Sequence, residues 1–288
     1  MFKKIFYTAL YACASVYIFS SCKKETANDA PFVFYSLEIH GNSVSFTNKS
    51  TGASSYKWDF GDGTESTEEN PVHTYPGKGK YVPTLYATSS DGATAEASTV
   101  IHISKSSPVK LDDNSLADWD TITHNMVVGG AGSGNFIAAK YDYDADNVYF
   151  YFEQKTSKSA GNIYDLYIDA DNDISTGYLT GEIPGGAYEV LLEGTIFDDW
   201  LDVYYHSGDQ DSFDGYEYQS INEFYSVGTW QEKNGVLKFE GALKRSKLKG
   251  LTGQSLKIGV QVAANDWSAI IGYSPDIETN AFFLDMSQ

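Results

Sequence analysis

The sequence predicts an all-β chain, a small sandwich followed by a larger jelly-roll-like sandwich, and three observations carry that expectation. Short alternating strands recur between turn residues from Phe32 onward, as in VSFTN, YKWDFGDG and KYVPTLYATSSDG. Almost no stretch repeats its apolar residues at the helical period. Beyond position 109 the strands lengthen and become aromatic, as in VYFYFEQ, IYDLYID and LDVYYH. Strands at regular spacing with turn signals between them close into sandwiches that bury one face of each sheet.

The elements follow in chain order. Residues 1–21 have a cationic start (Lys3, Lys4), an apolar run from Ile5 to Phe19 and small residues before Cys22, the pattern of a secretory signal peptide. Ser20-Ser21-Cys22 resembles a bacterial lipobox, with Phe19 where Leu is usual. That resemblance implies cleavage before Cys22, lipidation of its thiol, and a lipid-anchored, surface-exposed position on the outer membrane. Cys13 leaves with the signal, so the mature chain holds no cysteine pair. Residues 22–31 then read as the lipidated Cys and a short polar tether.

Residues 32–104 form the small sandwich. Its segments WDFGDG (58–63), NPVHTYPGKGKY (70–81) and SSDG (89–92) closely resemble the PKD (polycystic kidney disease) family of Ig-like domains. Trp58 and Phe60 are alternate residues on one face and are expected in the core, and Gly61, Asp62 and Gly63 make the turn that follows. The resemblance implies a spacer, in which Asp62 and His73 satisfy turns and do no chemistry. Residues 105–108, ending in proline, are the linker.

Residues 109–288 form the larger sandwich, with about nine strands. LDDNSLADW, DADNVYFYF, DLYIDADNDISTGY, GGAYEVLLEG, NGVLKFEGALKRSKL and IGVQVAANDW follow one another in the order of the DOMON-like sandwich, a group that includes the family 9 carbohydrate-binding modules. The order of these motifs, more than any one of them, carries the resemblance. It implies a carbohydrate-binding domain in which two tryptophans grip one sugar unit.

Asp169, Asp171 and Asp173 repeat the opening of a helix-flanked calcium loop, but Ile174 stands where its glycine is needed and Thr180 where its bidentate Glu is needed. A second run, Asp142, Asp144 and Asp146, fails at Asn147 in the same way. Two roles stay open for the first trio: hydrogen bonding to turn amides, or help in holding a structural calcium.

A sugar offers an apolar face of C–H groups that a flat ring removes from water, so a glycan site is sought as an exposed aromatic with amides or carboxylates beside it. Trp267, in the loop with Asn265 and Asp266, is the first candidate for a stacking platform. Trp200, flanked by Asp198, Asp199 and Asp202, is the second; Trp230, beside a hairpin turn, and Tyr178, ending the TGY loop, follow. Trp119 reads as core.

The 20 Lys and Arg against 39 Asp and Glu give a net charge of −19, which argues against nucleic acid and anionic membrane surfaces as partners. It also disfavours uronic-acid polymers. The leading expectation is a non-catalytic surface glycan-binding lipoprotein that captures a polysaccharide, by preference a neutral β-glucan, beside an outer-membrane glycan transporter complex. The alternatives are an adhesive or structural lipoprotein that binds a protein partner, and a glycoside-active enzyme using a carboxylate pair from among Glu189, Glu193 and Glu240. No G-x-S-x-G or H-E-x-x-H motif supports other hydrolytic chemistry, and the 5 His residues are scattered.

Overall fold

The structure, a computed structural model, describes residues 30–198 and 200–287. The leader, Cys13, Cys22, most of the tether and Asp199 lie outside the described residues.

The first domain comprises β1 (Tyr35–His40), β2 (Ser43–Asn48), β3 (Ser55–Asp59), β4 (Glu65–Ser66), β5 (Val72–Thr74), β6 (Gly79–Tyr81), β7 (Thr84–Thr88), β8 (Thr94–Ser98) and β9 (Ile101–Ile103). They pair in the orders β1-β2-β5, β4-β3-β7-β8 and β6-β9, all antiparallel. Trp58 and Phe60 enter a core with Val44, Phe46, Tyr75, Leu85, Ile101 and Ile103. Alternation along β3 puts Trp58 inside, and its indole N–H donates to the Glu68 carbonyl at 3.1 Å, so burial leaves no polar atom unpaired. Gly61 is left-handed at φ +78°, and a Cβ there would lie 2.8 Å from the Val82 nitrogen, so the turn needs glycine for both its dihedral and its space. Asp62 closes that turn by accepting from the Thr64 amide and hydroxyl, while its other oxygen meets His73 Nε2 at 2.7 Å.

The second domain comprises β10 (Met126–Val128), β11 (Phe136–Tyr143), β12 (Asn147–Gln154), β13 (Ile163–Asp169), β14 (Val190–Thr195), β15 (Trp200–His206) and β16 (Tyr216–Gln219). It continues with β17 (Tyr225–Lys233), β18 (Val236–Lys244), β19 (Ser255–Ala263), β20 (Ile270–Ser274) and β21 (Phe282–Asp285). These are twelve described strands where the sequence suggested about nine. The strands that its pattern passed over, β10, β16, β17 and β20, stand at the ends of the two sheet orders, and such edge strands pair on one side and show weaker alternation.

One sheet runs β10-β11-β12-β18-β17 and the other β16-β15-β14-β13-β19-β20, with β21 also on β19. Between them lies a core that includes Phe150, Phe152, Tyr164, Leu166, Leu192, Val203, Phe239 and Val260. Their outer faces differ. On the five-stranded sheet, Trp119 from the short helical turn Ala117–Thr121 packs with Val109 on Tyr149, Tyr151 and Ala242 and covers the face. Trp119 is 1% exposed and donates its indole N–H to Glu240 Oε2 at 2.7 Å, consistent with its reading as core. The linker is also docked: Lys105 and Ser107 both bond to the Asp142 carboxylate. The seven-stranded sheet buries part of its outer face, where Tyr167 and Leu191 pack with Ile183, Tyr188 and Ala281, and leaves Glu193, Asp202 and Gln261 partly exposed on the remainder.

Candidate functional site

Alternation along β13 sends Tyr164, Leu166 and Ile168 into the core, so Asp165 and Tyr167 must face outward. The antiparallel register then sets their neighbours. Asp165 pairs with Glu193 on one side and Gln261 on the other, Glu193 with Asp202, and Gln261 with Tyr273. Five strands thus build one cross-strand row, Asp202–Glu193–Asp165–Gln261–Tyr273. Two residues along lies an apolar row of Tyr218, Tyr204, Leu191 and Tyr167, of which Leu191 and Tyr167 are buried against Ile183 and Tyr188. In the opposite direction a third row opens with Trp200 on β15, opposite Thr195, and ends with Ile270 beside Ala263, where the loop bearing Trp267 begins.

Beside these rows Leu191, Glu193, Tyr204, Phe213, Asp214 and Tyr216 line a cleft of ≈ 350 Å³. The rings at its wall support one another: Phe213 and Tyr216 meet at 5.3 Å, Tyr178 and Phe213 at 5.7 Å, and the Tyr216 hydroxyl donates to the Tyr188 carbonyl at 2.9 Å. Tyr218 is 60% exposed at the sheet edge, edge-on to Tyr204 at 5.9 Å.

At the row's centre Asp165 is 3% exposed. Its Oδ2 accepts from Gln261 Nε2 at 3.1 Å, and its Oδ1 is buried with no hydrogen-bond partner. Burial, reinforced by the Glu193 charge, pushes its carboxyl up to about 7. Burial and the neighbouring Asp202 likewise raise Glu193.

Trp200 and Trp267 are 43% and 48% exposed. They stand at the same end of this face: Trp200 opens β15, and the loop bearing Trp267 leaves β19, a strand three steps from β15, roughly 14 Å at the usual strand spacing. Trp200 Nε1 donates to Asp202 Oδ2 at 3.0 Å, which fixes the indole plane. Trp267 holds a left-handed φ of +61°, a strained conformation for a bulky residue that its exposed side chain does not offset by burial. Asp266 accepts from the Ser268 amide at 3.0 Å and shapes that loop, and Asn265 is exposed beside it. Tyr178 is half-buried at the opposite end of the face, bridged to Tyr188.

Trp230 is not part of this face. It lies on edge strand β17 of the other sheet, with Lys158 Nζ 4.6 Å from its ring, in a separate and larger cavity of ≈ 480 Å³ lined also by Phe197, Glu223 and Tyr225. The two sheets carry it and Trp267 apart, which a sequence cannot show. The open face, though its cleft is the smaller, concentrates the polar acceptors and aromatic rings that sugar binding requires.

The acidic turn departs from the trio Asp169, Asp171, Asp173. Asp173 is committed to the Ser175 amide and hydroxyl, at 2.9 and 2.6 Å, and Glu189 takes its place beside Asp169 and Asp171, with one oxygen of each within 4.8 Å of the others. Asp169 Oδ1 accepts from the Asn172 amide at 2.7 Å and Oδ2 receives Lys257 Nζ at 3.0 Å; Glu189 accepts from the Ala170 amide and Thr176, and Asp171 from the Asp173 amide. Calcium takes six to eight oxygens. An ammonium already sits on the buried carboxylate, so these residues fit a turn held by amides and one internal ion pair better than a calcium cage. The three glutamates that could have formed a catalytic pair are also dispersed: Glu189 in this turn, Glu193 on the open face, Glu240 beneath Trp119 on the other sheet.

Residues 38–103 match the PKD domain family. A microbial collagenase of Vibrio alginolyticus is 34% identical over 95 residues, covering 31% of this chain and 11% of the collagenase. The pre-pro-metalloprotease PrtV of Vibrio cholerae is 39% identical over 74 residues, 24% of this chain and 8% of that one. The chain therefore spans only a small part of these relatives, and the matches run over the PKD region, which is non-catalytic. Among solved structures, the PKD1 domain of Vibrio anguillarum Epp is 36% identical, covers 26% of this chain and 95% of itself, and has a TM-score of 0.26. A carbohydrate-binding module of the β-sandwich superfamily is 14% identical, covers 85% of this chain and 98% of itself, and has a TM-score of 0.28. At such scores the second sandwich rests on its own strand pairing.

Proposed function

We propose that this chain is a non-catalytic glycan-capture protein, anchored through Cys22 at the outer-membrane surface. The PKD domain serves as spacer, and a polysaccharide is held on the open face of the seven-stranded sheet for an outer-membrane uptake system. One observation carries the reading: carboxylates, an amide and tyrosines lie in register across the outer face of the seven-stranded sheet, Glu193, Asp202, Tyr204, Gln261 and Tyr273 among them partly exposed, with Trp200 and Trp267 at one end. Rings can cover the apolar face of a sugar while Asp202, Glu193, Gln261 and the tyrosine hydroxyls take its hydroxyl hydrogen bonds. The face is wide, open and shallow, which suits a chain passing across it. Many anchored copies would raise effective affinity by local rebinding.

The neighbouring carboxylates Asp165 and Glu193 are close enough to invite comparison with a retaining glycosidase pair. Asp165, at 3% exposure, lies beneath its neighbours and cannot reach an anomeric carbon. The test is native affinity electrophoresis of the full chain through gels containing neutral, acidic and amino polysaccharides, with and without chelator, alongside a reducing-sugar assay. Retardation by one or a few polymers without sugar release supports capture. Free migration in every gel refutes it, and release of reducing ends would make the protein an enzyme.

A further inference from the structure

We propose that the cavity beside β17 is a second ligand site, separate from the open face, and that it takes a small uncharged sugar of one or two units through Trp230, Lys158 and Glu223. The proposal goes beyond polymer capture and does not depend on it.

The cavity, ≈ 480 Å³, lies at the side of the sandwich, walled by β17 of one sheet and by Ile196 and Phe197 of the short turn that follows β14 in the other. An irregularity in β17 brings Trp230 to it. Val227 stands opposite Gly241 and Trp230 opposite Phe239, so one extra residue on β17 is accommodated against β18. Plain alternation from Val227 would have turned Trp230 to the outer face, and the extra residue returns it to the inner face beside the core residue Phe239. The indole nevertheless stays 44% exposed, facing the cavity. Leaving a large ring uncovered on an inner face forgoes the free energy of burying it, and bulges recur beside functional sites, where they re-aim a side chain.

Lys158 is the second, independent sign. The other half-buried lysines among the described residues each give their ammonium to an oxygen: Lys105 to Asp142, Lys140 to the Trp119 carbonyl at 2.7 Å, Lys238 to Glu153 at 3.1 Å and Lys257 to Asp169 at 3.0 Å. The Lys158 ammonium makes no such bond. It sits over the rings of Trp230 and Phe197, 4.6 and 5.2 Å from their centres, at the cavity wall, and its three N–H donors are left for solvent or a ligand.

The wall carries both signs of charge, and that selects the ligand. Glu223 lines the cavity, and Glu232 accepts from the Lys158 amide at 3.1 Å. An anionic ligand would meet these carboxylates and a net charge of −19, and a cationic one would meet the ammonium already seated on the rings. A hydrocarbon would take that ammonium out of water with no oxygen to replace it. An uncharged polyhydroxyl ligand meets no like charge: its hydroxyls accept from Lys158 and donate to Glu223, while a C–H face covers the exposed part of the indole. The volume is that of a small-molecule site. A polymer passing over the open face does not enter it, so retention of such a polymer should not depend on Trp230.

The experiment is nitrogen–proton NMR of the full chain, following the Trp230 indole N–H, assigned by its loss in Trp230→Phe, during titration with cellobiose, mannobiose, xylobiose, galactobiose and digalacturonate. The Trp230 resonance is expected to shift with at least one neutral disaccharide, with an affinity that salt hardly changes, and not with digalacturonate. Lys158→Met should weaken that binding at least about tenfold. Lys233→Met, which removes an exposed charge from the same strand, should leave it unchanged. The remainder of each spectrum reports that the variant is folded. No shift with any neutral disaccharide would overturn the site. Binding that survives Lys158→Met would place the sugar elsewhere, and digalacturonate binding as tightly as the neutral disaccharides would refute the choice of an uncharged ligand. Failure here leaves polymer capture standing, because gel retardation tests that separately.

Discussion

Replacing Asp165 with Asn should stabilise the protein at neutral pH and leave it little changed in acid. Moving a carboxyl from its ordinary 3.8 to about 7 corresponds to about 4 kcal/mol, at about 1.4 kcal/mol for each tenfold change in proton affinity. The sign follows from proton counting. Between about pH 4 and pH 7 the folded state keeps the proton and the unfolded state has lost it, so the unfolded state binds fewer protons and stability falls as pH rises. Above about pH 7 the cost is complete and flat. Glu193 from β14 faces the group, with Asp202 of β15 one strand further out beside Glu193, Tyr167 lies on its own strand, and Gln261 approaches from β19; no cation does among the described residues. Asn keeps the Gln261 bond through its carbonyl but brings a buried N–H that finds no certain acceptor, so about half the gain should survive, about 2 kcal/mol. For a domain of this size that is a rise of about 4 to 8 °C in Tm at pH 8. Thermal unfolding of wild type and variant at pH 4.5 and pH 8 measures it. An equal effect at both pH values, or none at pH 8, would refute the assignment of a charged, unpaired Asp165.

Trp267→Ala should weaken glycan binding about tenfold or more with Tm almost unchanged, and Trp267→Gly should weaken binding equally while adding up to about 1 kcal/mol of stability by relieving the left-handed strain, as calorimetry and thermal melts would reveal. Trp119→Phe removes the donor to buried Glu240 and should cost about 1 to 3 kcal/mol in urea unfolding, without changing glycan affinity. Chelator should leave the melting temperature where it is, because Lys257 and backbone amides already satisfy the acidic turn; a fall of several degrees that calcium restores would show a metal there. Gly61→Ala should destabilise the PKD domain by more than about 1 kcal/mol, read from its own unfolding transition, because its Cβ would meet the Val82 backbone.

What could be read from the sequence was what is local. Trp58 and Phe60 sit two apart on one strand, so alternation alone sends both inward, and the turn after them follows from Gly61 and Asp62. The exposed, polar surroundings of Trp200 and Trp267 also show along the chain. The floor of the site did not show in this way. Asp165 stands in IYDLYID, where the alternation that buries Tyr164, Leu166 and Ile168 already sets it on the other face, but its partners Glu193, Asp202 and Gln261 come from other strands, the last 96 residues away. Register, which a single sequence does not reveal, makes them one row. The same limit applies to Trp230, grouped with Trp267 by residue type until the two sheets separated them, and to Glu189, which reaches the acidic turn across β13 and β14.

The most direct test of glycan capture on the open face is calorimetric or gel-retardation binding of whichever polysaccharide the panel selects, comparing wild type with a Tyr204→Ala, Gln261→Ala double variant and with Trp230→Ala. Both side chains of the double variant lie on the outer face, away from the core between the sheets, so the fold should survive. The double variant should lose binding while Trp230→Ala keeps it. Full binding by the double variant, or loss on replacing Trp230 alone, would place the ligand on the other sheet and contradict the account.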